Sequence, residues 1–150
     1  MLYAVVIAIL VILDQYSKYL TIENIQLGET IPFLDGFFHL TYVQNMGIAF
    51  GVFQDKTIYI SILTVAAVIG IAYYFYKEFN KIDVWERWAY TFILAGAIGN
   101  MIDRVWRGFV VDMMDFRGIW VYVFNVADMW INIGVFFLIL DYFVRRKEKK

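Results

Sequence analysis

Long uncharged stretches alternate with shorter polar segments along the 150-residue chain. A helix needs roughly 20 mostly apolar residues to cross a bilayer core about 30 Å thick. Four stretches approach that length, and we predict membrane spans at about residues 2–22, 57–76, 84–103 and 126–144. No internal repeat is evident, so the pattern predicts a single integral membrane domain over residues 1–150.

The first stretch has two interpretations, a retained membrane anchor or a cleavable signal peptide. A signal peptide carries basic residues before its apolar core and small residues at a cleavage site after it. Neither feature surrounds residues 2–22, which contain Asp14 and Lys18. We therefore interpret this stretch as a retained anchor.

The composition agrees with a lipid environment and excludes several classes of protein. Hydrophobic residues make up 62% of the chain and charged residues 18%, whereas a soluble domain is about half apolar and about a quarter charged. The net charge of −1 excludes nucleic acid as a partner, because a nucleic-acid binder needs a basic face. The absence of cysteine excludes disulfides and a thiol nucleophile, and the single histidine, His39, argues against histidine triads and multi-histidine metal sites.

Basic residues lie mainly on one side of the predicted spans. Eight of the thirteen are in the C-terminal tail and in the short loop between the second and third spans. Because Lys and Arg are enriched in cytoplasmic loops, we predict that both termini are cytoplasmic. The outer loops are then at about residues 23–56 and 105–125.

Polar residues within the spans are predicted to meet near the outer membrane face. Along an in, out, in, out path, residue 14 lies roughly 20 Å along its helix, the third span ends outside and the fourth begins there. A charge at the bilayer centre costs about 3 kcal/mol on insertion scales, so such residues should pair or line a wet cavity. The residues concerned are Asp14, Lys18, Asn100, Asp103, Arg104, Asn125, Asp128 and Asn132. An alternative is that they only hold the helices together, and Asp141 is interpreted as an interfacial ion-pair partner of Arg145.

The outer loops contain short segments of β-forming composition. Residues 37–44 are aromatic and β-branched and follow a turn signal at residues 35–36, which predicts a strand at the lipid interface. Residues 108–111 and 119–124 are predicted as further strand pieces, and His39 as a surface or interface residue. The predicted fold is an all-α membrane protein, a four-transmembrane-helix bundle with a small extracytoplasmic β-rich platform formed by the first outer loop.

Three reactions fit the side chains on the outer face. Two carboxylates that share a proton can activate a water without a cofactor. A Ser17–Lys18 dyad is the second option, although consecutive side chains on a helix point apart. The third is a hard-cation site, which has no dense ligand motif here and whose candidate ligands are Asp14, Asp103, Asp112 and Asp128. We expect no metal and no cofactor.

Five motifs occur in order along the chain: Asp14 to Lys18 (DQYSK), Asn45 to Gly51 (NMGIAFG), Gly99 to Arg104 (GNMIDR), Gly108 to Asp112 (GFVVD) and Phe124 to Asp128 (FNVAD). The first three are similar to the D-Q-x-x-K, N-x-G-x-A-F and G-N-x-x-D-R motifs of the lipoprotein signal peptidase family, also called signal peptidase II. The last two resemble the two segments that supply the aspartates of that family.

This resemblance implies an intramembrane aspartic endopeptidase of the bacterial cytoplasmic membrane. It would remove the signal peptide of a prolipoprotein whose cysteine carries a diacylglyceryl group, in contact with membrane lipid and near the extracytoplasmic face. The implied catalytic dyad is Asp112 and Asp128, and Asp115 is assigned to the solvated loop. The implied substrate-binding or dyad-supporting residues are Asp14, Asn45, Asn100, Arg104 and Asn125, and the structural ones are Lys18, Gly47 and Asp103. One chain supplies the whole site, so we expect a monomer.

Two other classes remain as alternatives, a small transporter or channel and a structural subunit of a larger complex. A conduit needs polar residues through the full depth of the membrane, whereas the second span has no charged residue. A structural subunit needs no water-accessible acids. Incubation of the pure protein with a lipidated precursor peptide separates these alternatives from a peptidase.

Overall fold

The structure, a computed structural model, describes residues 1–47 and 57–148, with side chains for residues 1–47 and 58–143. It is mostly helical with a small antiparallel sheet, which confirms that part of the predicted fold class. The elements in chain order are α1 (Leu2–Asn24), β1 (Thr30–Leu34), β2 (Phe38–Asn45), α2 (Thr57–Glu78), α3 (Val84–Trp106), β3 (Val110–Phe116) and α4 (Val126–Glu148).

Three of the helices are long and apolar enough to cross a membrane: Leu2–Asn24, Ile58–Glu78 and Val126–Phe143, as judged over the described residues. Their outward faces expose large apolar side chains, which need an apolar surrounding. The helix α3 has a similar length, 23 residues, but it carries charged residues near both ends. The count of four spans therefore stays a prediction.

The start of α3 is fixed by a side-chain cap. Asp83 Oδ1 accepts hydrogen bonds from the backbone N–H groups of Trp85 at 2.7 Å and Glu86 at 2.9 Å. A carboxylate at this position satisfies free N–H groups and interacts favourably with the helix dipole. The cap residue is the last residue of the short connection between Glu78, where α2 ends, and Val84, where α3 begins.

Close packing of α3 against α4 depends on residues without side chains. A Cβ atom added at Gly134 of α4 would lie 2.6 Å from the backbone oxygen of Ala89. On α3, a Cβ at Gly96 would clash with the backbone oxygen of Ala127, and one at Gly99 would lie 2.5 Å from Asp14 Oδ2. Small residues let membrane helices approach closely, and here they bring polar side chains of α1, α3 and α4 into contact.

The sheet has the order β1-β2-β3 with antiparallel neighbours. The predicted strand at residues 37–44 is confirmed as β2, and the turn before it contains Gly36 with φ at +72°. In the β2–β3 register Val43 is opposite Asp112 and Asn45 is opposite Val110. This pairing holds the end of β2 beside the first aspartate of the predicted dyad.

One prediction about the strands of the outer segments is wrong. Residues 119–124 form turns and bends rather than a strand, and their one ladder contact is an isolated bridge between Phe124 and Met114. The strand β3 ends at Phe116, Gly118 in the turn that follows has φ at +79°, and Val121 is 91% exposed. A β-forming composition cannot make a strand where no neighbouring backbone is available to pair with it.

The surroundings of His39 and Asp115 also differ from the predictions. His39 is 6% exposed in the sheet rather than on the surface, because β1 and β3 flank it at Pro32 and Asp115. Asp115 belongs to β3 rather than to a solvated loop. Its Oδ2 accepts hydrogen bonds from Thr41 Oγ1 at 2.9 Å and Arg117 Nε at 3.1 Å.

Candidate active site

The two aspartates of the predicted dyad line one cavity of about 1300 Å³. Asp112 comes from β3 and Asp128 from the first turn of α4. The cavity has apolar walls from α2 and from residues 119–123. Its other predicted polar residues are Asn45, Asn100, Arg104 and Asn132.

Asp112 is held by two amide groups and is almost inaccessible to solvent. Its Oδ1 accepts a hydrogen bond from Asn125 Nδ2 at 2.6 Å, and its Oδ2 accepts one from Asn45 Nδ2 at 3.0 Å. Burial, together with the nearby Asp128 carboxylate, raises the pKa of Asp112 to about 7, and the two amide hydrogen bonds partly offset this rise. The Asp112 carboxyl group can therefore hold or release a proton near neutral pH.

Asp128 is positioned by reciprocal capping at the start of α4. Asn125 Oδ1 accepts a hydrogen bond from the backbone N–H of Asp128 at 3.0 Å, and Asp128 Oδ2 accepts one from the backbone N–H of Asn125 at 3.3 Å. This is the geometry of a capping box, in which the first residue and the residue three positions later satisfy each other. The other oxygen, Oδ1, accepts from Asn100 Nδ2 at 2.8 Å.

The two carboxylates are linked through the side chains of Asn125 and Asn100. Asn125 Nδ2 donates both to Asp112 and, at 3.2 Å, to Asn100 Oδ1. Asn100 in turn donates to Asp128. Because Asn125 is fully buried, the link lies out of solvent and fixes the two acids relative to each other.

A buried ion cluster adjoins this link. Lys18 Nζ lies 2.9 Å from Asp14 Oδ2 and 2.9 Å from Asp103 Oδ2, and all three side chains are 0% exposed. Asp14 Oδ1 accepts from the backbone N–H of Ala127 at 2.8 Å, and Asp103 Oδ2 accepts from that of Val111 at 3.1 Å. The cluster thus connects α1 and α3 with the segments that carry the two predicted catalytic acids.

Arg104 joins the cavity to the end of β2. It donates to the backbone oxygens of Gly47 at 3.2 Å and Asn100 at 3.4 Å. The backbone N–H of Gly47 donates to Asn45 Oδ1 at 3.0 Å, so the same amide that holds Asp112 also shapes the following turn. The rest of this motif, residues 48–51, lies outside the described residues.

The Ser17–Lys18 dyad is not formed. Ser17 Oγ donates to the backbone oxygen of Asp14 at 2.7 Å, whereas Lys18 Nζ contacts carboxylates. The four candidate metal ligands do not form one group either. In the part of the chain that the structure describes, the one trio of carboxylates with oxygens within 4.8 Å is Asp83, Glu86 and Asp141. The side chain of Arg145, the predicted partner of Asp141, lies outside the described residues.

The sequence-based prediction missed two polar residues beside the ion cluster. Arg107 contacts Asp103, four residues earlier on one helical face, and Arg107 Nη1 donates to Gln15 Oε1 at 2.9 Å. Gln15 Nε2 donates to Asp103 Oδ1 and to the backbone oxygen of Gly99, each at 3.1 Å. The signals were present in the i,i+4 spacing of Asp103 and Arg107 and in the glutamine of the first motif.

The sequence of this chain is similar to those of a known protein family. A family profile described as Signal peptidase (SPase) II matches residues 6–144. The lipoprotein signal peptidase of Fusobacterium nucleatum subsp. nucleatum is 54% identical over 150 residues, which are 100% of this chain and 91% of that protein. The lipoprotein signal peptidase of Clostridioides difficile is 45% identical over 139 residues, 92% of each chain.

Solved structures agree with the sequence relatives. A bacterial membrane enzyme solved at 2.3 Å by the in meso method superposes with a TM-score of 0.89 at 31% identity, over 99% of this chain and 91% of that one. A second, solved at 1.9 Å, gives a TM-score of 0.82 at 31% identity, over 93% and 91% of the two chains. The protein therefore belongs to the signal peptidase II family, as a multi-pass membrane peptidase.

Proposed function

We propose that this protein is an aspartic endopeptidase that removes the signal peptides of diacylglyceryl-modified prolipoproteins, with Asp112 and Asp128 as its catalytic acids. The observation that carries the proposal is that these two carboxylates line one cavity and are joined through Asn125 and Asn100. Membership of the signal peptidase II family supports the substrate class. Two adjacent carboxylates are sufficient for peptide hydrolysis without a cofactor.

The reaction begins with one acid protonated and one ionised. The raised pKa of Asp112, about 7, supports Asp112 as the holder of the proton. Asp128 accepts a proton from water as the water oxygen attacks the scissile carbonyl carbon, and Asp112 donates its proton to the carbonyl oxygen. Asp128 then donates to the amide nitrogen as the C–N bond breaks, and a hydroxyl of the diol intermediate returns a proton to Asp112. The dyad ends in its starting state.

Positioning supplies the part of the rate enhancement that acid–base chemistry does not. General acid–base catalysis contributes about 10²- to 10⁴-fold, short of the 10⁶-fold or more typical of enzymes. Asn45 and Asn125 hold Asp112, and Asn100 holds Asp128. Arg104 lines the same cavity and can bind a substrate carbonyl. A membrane-embedded signal helix reaches the acids with much of its translational freedom already lost.

The proposed placement puts α3 across the membrane as a fourth span, both termini in the cytoplasm and the dyad near the outer face. The sheet then lies at the outer interface, where exposed apolar residues of its β1–β2 hairpin contact lipid. Phe33 is 69% exposed and Leu34 is 53% exposed. One chain supplies every residue of the site, so we propose a functional monomer.

Two substitutions test the dyad. Purified Asp112→Asn and Asp128→Asn should each lose at least about 10³-fold in kcat on a diacylglyceryl-modified precursor peptide, because an amide cannot exchange the protons of the reaction. Both variants should remain folded in detergent.

Asp115→Asn is the matched control, since Asp115 is on the same strand as Asp112 but pairs with Thr41 and Arg117. It should keep kcat within about 3-fold of wild type. Near wild-type turnover by either dyad variant, or loss of turnover in the control, would refute the assignment. A peptide without the diacylglyceryl group tests the lipid requirement. Its kcat/KM should be at least about 10-fold lower than that of the modified peptide.

A further inference from the structure

Lys18 lies where the buried ion cluster meets the proposed dyad. Its ammonium group has three hydrogens and three acceptors: Asp14 Oδ2 at 2.9 Å, Asp103 Oδ2 at 2.9 Å and Asn100 Oδ1 at 3.1 Å. The first two contacts explain how a lysine can be fully buried. The third is directed at an amide that the charge balance of the cluster does not require.

The contact with Lys18 determines which way the Asn100 amide faces. An ammonium group can only donate hydrogen bonds, so the amide oxygen of Asn100 must point toward Lys18. Asn125 Nδ2 donates to the same oxygen at 3.2 Å. The NH₂ group of Asn100 then points the other way and donates to Asp128 Oδ1 at 2.8 Å. In the opposite orientation, the NH₂ group of Asn100 would face the donor groups of Lys18 and Asn125, and its amide oxygen would face the Asp128 carboxylate.

We infer that Lys18 is a positioning residue for the peptidase reaction, because its ammonium group fixes the Asn100 amide in the orientation that donates to Asp128. The inference rests on the proposed function, in which Asp128 accepts a proton from the attacking water. It adds a role in the reaction to the structural role that neutralises Asp14 and Asp103. A structural role alone lowers the amount or stability of folded protein, whereas a positioning role lowers the turnover of the protein that has folded.

The test compares Asp14→Asn with the double variant Asp14→Asn/Lys18→Met. Asn at position 14 keeps an oxygen for the N–H of Ala127, and the double variant removes one buried cation together with one buried anion. Asp103 retains Arg107 as a partner. Adding Lys18→Met should lower kcat about 10²-fold, the effect expected from a misplaced reacting group, and should leave KM within about 3-fold.

Arg107→Met is the matched control. Arg107 contacts the far side of Asp103 and Gln15, so its loss disturbs the same ion cluster without removing the donor to Asn100. We expect a lower midpoint of thermal unfolding in detergent and a kcat within about 3-fold of wild type. Lys18→Arg keeps a cationic donor. In the same Asp14→Asn background, its kcat should be at least about 10-fold higher than that of Lys18→Met.

The outcomes separate this inference from the proposed function. A folded double variant with the same kcat as Asp14→Asn overturns the inference, as does an equal loss of kcat in Arg107→Met. If the double variant does not fold, Asp14→Asn/Lys18→Gln takes its place and is judged by the same split between kcat and KM, because a Gln amide can donate or accept and so does not fix the direction of Asn100. Asp112→Asn and Asp128→Asn are assayed in parallel. If either is active, the proposed dyad fails, whatever the Lys18 variants do.

Discussion

At the residue scale, the environment of Asp112 gives a carboxyl group the properties of an acid that works at neutral pH. Its side chain is buried beside a second carboxylate, and both effects raise its pKa, to about 7. Asn45 and Asn125 act in the opposite direction, because hydrogen bonds to a carboxylate favour its ionised form. The proton affinity of Asp112 therefore depends on neighbours from two other segments of the chain, the end of β2 and the start of α4.

The raised pKa of Asp112 predicts a pH dependence. The protonated form, which is the proposed donor to the scissile carbonyl, is present below about pH 7 and is lost as the pH rises through that value. The kcat/KM should therefore fall by about 10-fold per pH unit above it. Asn45→Ala removes a hydrogen bond that lowers the pKa of Asp112, so the alkaline limb of the pH–rate profile should move to higher pH.

Thr41→Val is the control for this profile, because Thr41 lies on the same strand but donates to Asp115. Its alkaline limb should coincide with that of the wild type. A shift of the Asn45→Ala limb to lower pH, or an equal shift in Thr41→Val, would contradict the assignment of the limb to Asp112.

The sequence predicted the polar residues better than their surroundings. Asp14, Lys18, Asn100 and Asp128 were singled out because charges and amides are costly inside a membrane. The contact partner of each side chain could not be predicted, since the Lys18–Asn100 contact, for example, joins residues 82 positions apart in the chain. The same limit explains the error at His39, whose burial depends on the two strands that flank it.

At the element scale, glycines on α3 and α4 set the distance between helices and hence the position of Asp128. A Cβ at Gly96 would meet the backbone of Ala127, the residue before Asp128, and would lie 2.7 Å from Ile131 Cγ1. Backbone cannot move aside as a flexible side chain can. The close contact between α3 and α4 is thus part of the geometry of the site.

Gly96→Ala should therefore destabilise the protein by about 1–3 kcal/mol, the usual effect of overpacking, and lower kcat by displacing the start of α4. Gly70→Ala is the matched control in the interior of α2, since a Cβ there meets nothing within 4 Å. It should be neutral or stabilising by up to about 1 kcal/mol, because Ala favours helix more than Gly. Reversible unfolding in mixed detergent measures the change in the free energy of unfolding for both variants. Equal stability of the two variants would contradict the prediction.

Among the short outer segments, β2 was predicted correctly and residues 119–124 were not, because a strand needs a neighbouring strand to pair with. Strand β2 was predicted because its β-forming residues follow a turn signal, and it lies in the middle of the sheet with partners on both sides. Residues 119–124 have a similar composition, but only Phe124 pairs with a strand, in an isolated bridge to Met114. Composition describes what a segment can form, whereas the available neighbours decide what it does form.

At the scale of the whole molecule, the usual arrangement of a soluble protein is reversed. Asp14, Lys18 and Asp103 are fully buried, whereas large apolar side chains of α1, α2 and α4 face outward. Charged residues are almost never fully buried unless they are paired, and these three are paired with one another. Under the positive-inside rule, the basic residues around the α2–α3 connection predict that this end of the bundle is cytoplasmic.

This arrangement predicts that α3 crosses the membrane, with its first residue on the cytoplasmic side. The chain has no cysteine, so a single cysteine reports one position without background. Asn80 and Arg117 are exposed residues before and after α3. A membrane-impermeant maleimide should label Arg117→Cys in intact spheroplasts and Asn80→Cys only after permeabilisation. Asp35→Cys, at the exposed tip of the β1–β2 hairpin, should behave like Arg117→Cys. Labelling of the residue 80 and 117 variants from the same side would mean that α3 does not span the bilayer, and the proposed four-span topology would then be wrong.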